Sequence, residues 1–211
     1  GEMAAGIAHE LKNPLAGIEV MAGLLRRQVP DSPAAQSLLA DIMSEAKLAN
    51  AIVVEMPEFV RPIRLQVEQT DVGDVIRQAM TLAESKAKRG GVAVEFDVPG
   101  ELPMIGGDHH QLCQVFTNLV ANAFEALDGK GQISITASSG VTEVDPAFPS
   151  PQPPSPVVVV DVADNGPGIP SELADKIFDP FFTTKAQGSG LGLAIVSKIV
   201  DAHDGRIDMS S

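Results

Sequence analysis

From Leu11 the apolar positions Leu11, Leu15, Ile18, Ala22, Leu25 and Val29 advance by alternating steps of four and three. That spacing keeps a narrow apolar stripe on one side of a helix, as in a coiled-coil seam. Pro30, Asp31, Ser32 and Pro33 interrupt the stripe, and Leu39, Ile42, Ala46, Ala49, Val53, Met56 and Val60 then resume the same alternation. The pattern predicts two long helices folded back as an antiparallel hairpin. A lone hairpin would leave both stripes wet, whereas two copies joined as a four-helix bundle would cover them, so a homodimer is expected. Pro57 removes a backbone donor and predicts a kink or end of the second helix near Glu55 or Met56. Arg61-Pro62 then marks an exit toward a different domain.

Beyond Leu65 the elements become shorter and of both types, giving an α+β chain. The apolar spacing predicts helices over 72–87, 108–127 and 191–202 and strands over 92–98, 132–138 and 157–163. The segment 144–156 carries Pro146, Pro149, Pro151, Pro153, Pro154 and Pro156, which cannot supply ladder donors, so it reads as an exposed loop joining two strands. The last helix stops before Gly205, and a final strand is expected to start at Arg206 and to be cut off at Ser211.

Composition narrows the classes of partner. With 15 basic against 28 acidic residues the 211-residue chain carries a formal charge of −13, which repels a phosphate backbone and anionic headgroups. Nucleic acid and membrane surfaces are therefore not expected partners, and any phosphate site must be local. Cys113 is the single cysteine and falls in an apolar helical pattern, so it reads as core packing. No stretch approaches the ~18 apolar residues of a membrane span. The fragment is expected in the cytoplasm, with any anchor of a parent protein outside it.

Four clusters carry candidate chemistry. The first is His9-Glu10-Leu11-Lys12-Asn13-Pro14. His9 lies off the apolar stripe, so its imidazole is expected to face solvent as a nucleophile, with Glu10 taking the Nδ1 proton so that Nε2 keeps its lone pair. Asn13, one turn on, would position a water against a phosphorylated ring. A lone His-Glu pair is far more often an incidental surface pair, so this cluster gains weight only from its company. The second cluster is Asn118, Asn122 and Glu125, a polar stripe on the helix opened by Asp108, where an amide oxygen could ligate a hydrated Mg2+.

The third cluster, Asp164-Asn165-Gly166-Pro167-Gly168, follows directly on the apolar strand. A carboxylate there could accept from an adenine amino group, and the glycines let the backbone approach a flat base. The fourth, Gly188-Ser189-Gly190-Leu191-Gly192, runs into a helix whose first amides could hold phosphate oxygens. Between them Phe178 to Phe182 and Thr183-Thr184-Lys185 read as an aromatic anchor and a short lid with one basic residue.

In this order the clusters resemble the H, N, G1, F and G2 boxes of sensor histidine kinases, over nearly the whole chain. The His-Glu-Leu-Lys-Asn-Pro-Leu wording and the short Thr-Thr-Lys lid look most like the nitrogen-regulatory branch. The resemblance implies a dimerisation and phosphoacceptor hairpin over 1–63. Over 64–211 it implies a C-terminally truncated Bergerat-type ATP-binding domain, an α/β sandwich with a mixed sheet. It makes His9 the phosphoacceptor, Glu10 its base and Asn13 the residue that orients water for phosphatase action. It makes Asn122 the Mg2+ ligand with Asn118 beside it, Asp164 the adenine contact, and Gly166 and Gly168 the turn beneath the base. Thr184, Lys185, Gly188, Gly190, Leu191 and Gly192 would line the triphosphate of ATP. Glu125 stands where many members carry a basic residue, which leaves Lys185 or an ion for that charge. The implied reaction is phosphoryl transfer from Mg-ATP to His9 and relay to an aspartate of a response regulator receiver. The rivals are an ATPase of the same superfamily, against which the amide of Asn118 is a poor base, and an ATP-binding or phosphatase-dominant module whose histidine is never modified.

Overall fold

A computed structural model describes residues 2–86, 90–141, 156–185 and 188–211, with side chains described from Glu10 onward and not at Lys86. It contains five α-helices and five strands among these residues. Two compact units arise, one of Gly1–Ile63 with Leu173–Ser197 and one of Arg64–Glu172 with Lys198–Ser211.

In the first unit α1 (Glu2–Gln28) and α2 (Pro33–Val60) form the hairpin. Ser32 caps α2, its hydroxyl accepting from the Ala35 amide, while Pro33 occupies the first turn, where a missing donor costs nothing. Gln36 closes the turn by donating to the carbonyls of Arg26 and Val29, and its own amide oxygen accepts from the Arg26 guanidinium. Pairing farther down includes the Lys47–Glu19 ion pair. Of the stripe residues Ala22, Leu39 and Ala46 are buried. Leu11, Ile18, Leu25, Ile42, Met56 and Val60 remain exposed, as do Val20, Met21 and Leu24 beside them.

The helix does not end near Glu55 or Met56: α2 continues through Pro57 to Val60. The ring removes one donor only, and the Pro57 carbonyl still accepts from the Arg61 amide at the C-cap.

The second unit is a helical layer on a mixed sheet. The helices α3 (Val72–Lys86) and α4 (His109–Leu127) pack together over strands β2 (Gly91–Asp97), β4 (Lys130–Val141) and β5 (Pro156–Asp164). The strand order is β2-β4-β5, with β2 parallel and β5 antiparallel to β4. Alternate residues Ile133, Ile135 and Ala137 of β4 point inward against Phe124, Val120 and Ile76, as the period of two requires. Cys113 is buried among Val75, Ala79 and Leu112, the packing role expected of it.

A short two-stranded ladder, β1 (Glu68–Thr70) with β3 (Ile105–Gly107), was not legible in the sequence; three residues are too few to show alternation. The strand expected from Arg206 is not formed: residues 205–211 are irregular, and Arg206 pairs instead with Asp208. A strand without a ladder partner leaves its backbone groups unpaired, so this short polar stretch has no reason to extend. The helix expected over 72–87 forms as far as Lys86. Ala87 and most of the proline-rich segment lie outside the described residues, and Pro156 opens β5.

Candidate functional site

The first cluster lies on α1, in the first unit. His9 falls within the helix, but its side chain lies outside those described. Glu10 and Asn13 are exposed, and Pro14 is accommodated inside α1.

In the second unit Asp108 starts α4. Its carboxylate accepts from the Gln111 amide as an N-cap and also from the Gln66 amide, far back in the chain. Its own amide donates to Nε2 of His203, whose Nδ1 lies 2.8 Å from the Ile199 carbonyl. One buried residue thereby fixes the start of α4, the chain leaving the hairpin and the end of α5 (Gly192–Ala202). Burial raises the Asp108 pKa, but amide bonds from Gln66, Gln111 and His110 outweigh it and leave the carboxyl below its ordinary value.

Asn118 and Asn122 sit half-buried, four residues apart on α4, and therefore on one face of it. Ala126 continues that face by another turn, and there the glycine-rich turn after β5 comes to rest. A Cβ on Gly166 would stand in ordinary contact with the Ala126 Cβ, at 3.5 Å, but would crowd the Asp164 carboxylate oxygen at 2.7 Å. Asp164 shapes the same turn, its carboxylate accepting from the Gly166 amide at 2.9 Å. Asn165 pins the turn to β4: its side-chain oxygen accepts from the Gln132 amide and its own amide donates to the Gln132 carbonyl. Gly168 follows at φ +74, and the neighbouring Ile169 amide donates to the Ser211 hydroxyl. The third cluster thus lies against the helix that carries the second, and the Asn165 staple is a part that the sequence pattern did not announce.

The fourth cluster lies in the first unit, ahead of α5. The Thr183 hydroxyl accepts from the Lys185 amide, and the Gly188 amide donates to the Lys185 carbonyl, so Thr184 and Lys185 lie in a tight exposed turn. Gly190 has φ +69, and a Cβ there would run into the Phe181 and Phe182 backbone. The Phe181 amide donates to the Gly190 carbonyl at 3.0 Å, tying the aromatic segment to the glycine run. Leu191 is buried, Gly192 opens α5, and the Ser189 hydroxyl accepts from the Leu191 amide.

Each unit by itself carries groups that suit part of a magnesium nucleotide. Amide oxygens on one helix face are hard ligands of the kind Mg2+ accepts while retaining waters. A glycine run at a helix start offers amides where no Cβ intrudes. Among the described residues no group of three or more His, Cys, Asp or Glu is placed so that it could hold a metal ion.

Residues 1–63 match the family described as the His Kinase A (phospho-acceptor) domain, and residues 107–211 match the histidine kinase-, DNA gyrase B- and HSP90-like ATPase family. The solved catalytic domain of histidine kinase ThkA, in a nucleotide-free form, is 34% identical, with 82% of that chain and 65% of this one covered and a TM-score of 0.51. The chain belongs to the sensor histidine kinases.

Sensor histidine kinase ZraS of Escherichia coli K12 is 36% identical over all of this chain and 42% of its own length. Sensory histidine kinase/phosphatase NtrB of Azospirillum brasilense is 37% identical over 99% of this chain and 52% of its own. This kinase core thus spans about half the length of such relatives, or less. The nitrogen-regulatory likeness is therefore one of several among the branches matched. ThkA solved in complex with response regulator protein TrrA is 30% identical, with a TM-score of 0.61 over 97% of this chain and 55% of that one. Among the described residues no helix is long and apolar enough to cross a membrane.

Proposed function

We propose that the chain transfers the γ-phosphoryl group of Mg-ATP to Nε2 of His9 and passes it to an aspartate of a response regulator receiver. The observation that carries this reading is the position of His9, with Glu10 and Asn13, on the first helix of a hairpin matched by the phospho-acceptor family. In the transfer the Nε2–P bond forms as the bond from γ-phosphorus to the β–γ bridging oxygen breaks. ADP leaves with that electron pair, and Glu10 takes the Nδ1 proton. Bound Mg2+ would neutralise charge on the phosphates, with the Asn122 oxygen as its protein ligand and Asn118 beside it.

Asp164 would accept from the adenine amino group, and Gly166 and Gly168 would let the base lie against the backbone. Thr184, Lys185 and the amides over 188–192 would hold the triphosphate. Asn13 would orient water when the receiver is dephosphorylated, making the chain a phosphatase as well. Residues 1–63 serve as the dimerisation and acceptor domain and 64–211 as the ATP-binding domain. The exposed apolar residues of the hairpin support dimerisation.

Incubation with Mg and γ-labelled ATP, beside a His9→Gln variant, tests the reading. Acid-labile, alkali-stable label is expected on the unaltered chain alone. Equal label on the variant would remove His9 from the reaction, and its absence from both while ATP still binds would favour a binding or phosphatase role.

A further inference from the structure

Two residues of α2, one helical turn apart on the same face, hold the segment proposed to take the triphosphate. The Ser189 hydroxyl donates to the Glu55 carboxylate, and the Phe181 ring meets Phe59 edge-on, centroids 6.5 Å apart at 64°. These two points are joined within the segment by the Phe181 amide on the Gly190 carbonyl. Ser189 is buried although it is polar, and its oxygen also accepts from the Leu191 amide. That amide belongs to the group at the start of α5 that a phosphate would need.

The occupancy has an electrostatic consequence. Glu55 places a negative charge in hydrogen-bond contact with the loop where the γ- and β-phosphates would bring several more. Like charges at this spacing repel by amounts that matter once water is partly excluded. The hydroxyl cannot keep its proton on Glu55 and also donate it to a phosphate oxygen, and the Leu191 amide cannot serve the hydroxyl and a phosphate at full strength together.

We propose that Glu55, steadied by Phe59, is an autoinhibitory latch: its carboxylate holds the Ser189 hydroxyl, whose oxygen occupies the Leu191 amide, so that triphosphate binding and this hairpin contact exclude one another. The inference rests on the nucleotide-binding reading of residues 188–192. Its consequence is reciprocal by linkage. ATP frees the lid segment from α2, and any strain that moves Glu55 or Phe59 along the hairpin raises affinity for ATP. A signal reaching α2 would therefore be read first as a change in nucleotide affinity.

The test measures dissociation constants of the whole chain for Mg-ATP and, separately, for adenosine, which has the base but no phosphate. Glu55→Gln removes the charge, Glu55→Ala removes the contact, and Phe59→Leu weakens the support while leaving the carboxylate. Coupling of this kind spans roughly five-fold to a hundred-fold. All three variants are expected to bind ATP more tightly, Glu55→Ala by about five-fold or more, with adenosine unchanged. An unchanged or weakened ATP affinity in the Glu55 variants, beside normal binding by the unaltered chain, overturns the latch alone. Equal tightening of ATP and adenosine also overturns it, since a general loosening would then be at work. Failure of the unaltered chain to bind ATP at all would overturn the nucleotide-binding reading itself, and the latch with it.

Discussion

Gly190 shows how narrow the tolerance of a single residue can be. Its φ of +69 would strain any side chain, and a Cβ would also meet the backbone of Phe181 and Phe182. Left-handed backbone costs a non-glycine residue roughly 1–2 kcal/mol before any clash is counted. Gly190→Ala is therefore expected to weaken ATP binding by about tenfold or more, at ~1.4 kcal/mol per decade, in a calorimetric titration. Asn122→Ala tests a different contribution. With its amide oxygen gone, ATP affinity should fall on the order of tenfold in Mg2+ and change little with the metal chelated. An equal fall in both conditions would reassign Asn122 to packing. The glycines and asparagines were visible in the sequence, because each needs a rare residue at a fixed spacing. The partners of Asp108 were not: Gln66 and His203 lie 42 and 95 residues away, beyond the reach of any local pattern.

At the scale of elements, Asp108 makes α4 depend on pH. Its folded pKa lies below its ordinary value, so its contribution to stability is present above the unfolded pKa of about 3.9 and is lost as pH falls through the folded value. Thermal unfolding followed by circular dichroism should show the midpoint of the unaltered chain dropping more steeply below about pH 4 than that of Asp108→Asn. Near neutral pH the variant should already be less stable by roughly 1–2 kcal/mol, since the part-buried amide bonds from Gln66 and Gln111 lose their charged acceptor. The helices themselves could be read from spacing because long amphipathic runs repeat their signal many times. Strands β1 and β3 could not, and the strand expected at Arg206 shows the converse error: a plausible composition does not extend without a partner. Pro57 shows a third case, in which a residue that breaks helices locally is carried through by the turns on either side.

For the whole molecule the hairpin poses the main question of assembly. Leu11, Ile18, Leu25 and Ile42, members of the two stripes, remain exposed on the single chain. Sedimentation is expected to show a dimer, and the double change Leu25→Asp with Ile42→Asp should shift it to monomer. A charge placed in a bundle core loses its water without gaining a partner. A monomeric unaltered chain would remove the bundle from the account.

What the sequence determined by itself was the hairpin, the alternation of later elements and the ordered set of histidine, asparagine and glycine clusters that marks the family. All of these are written in short-range periodicity or in residues with unusual backbone freedom. What only the tertiary structure decided was which distant groups meet: Gly166 against Ala126, Asn165 on Gln132, Asp108 with Gln66 and His203, and Glu55 on Ser189. Such contacts leave no periodic trace, because each is a single event between ordinary polar or small residues whose separation along the chain is set by the fold.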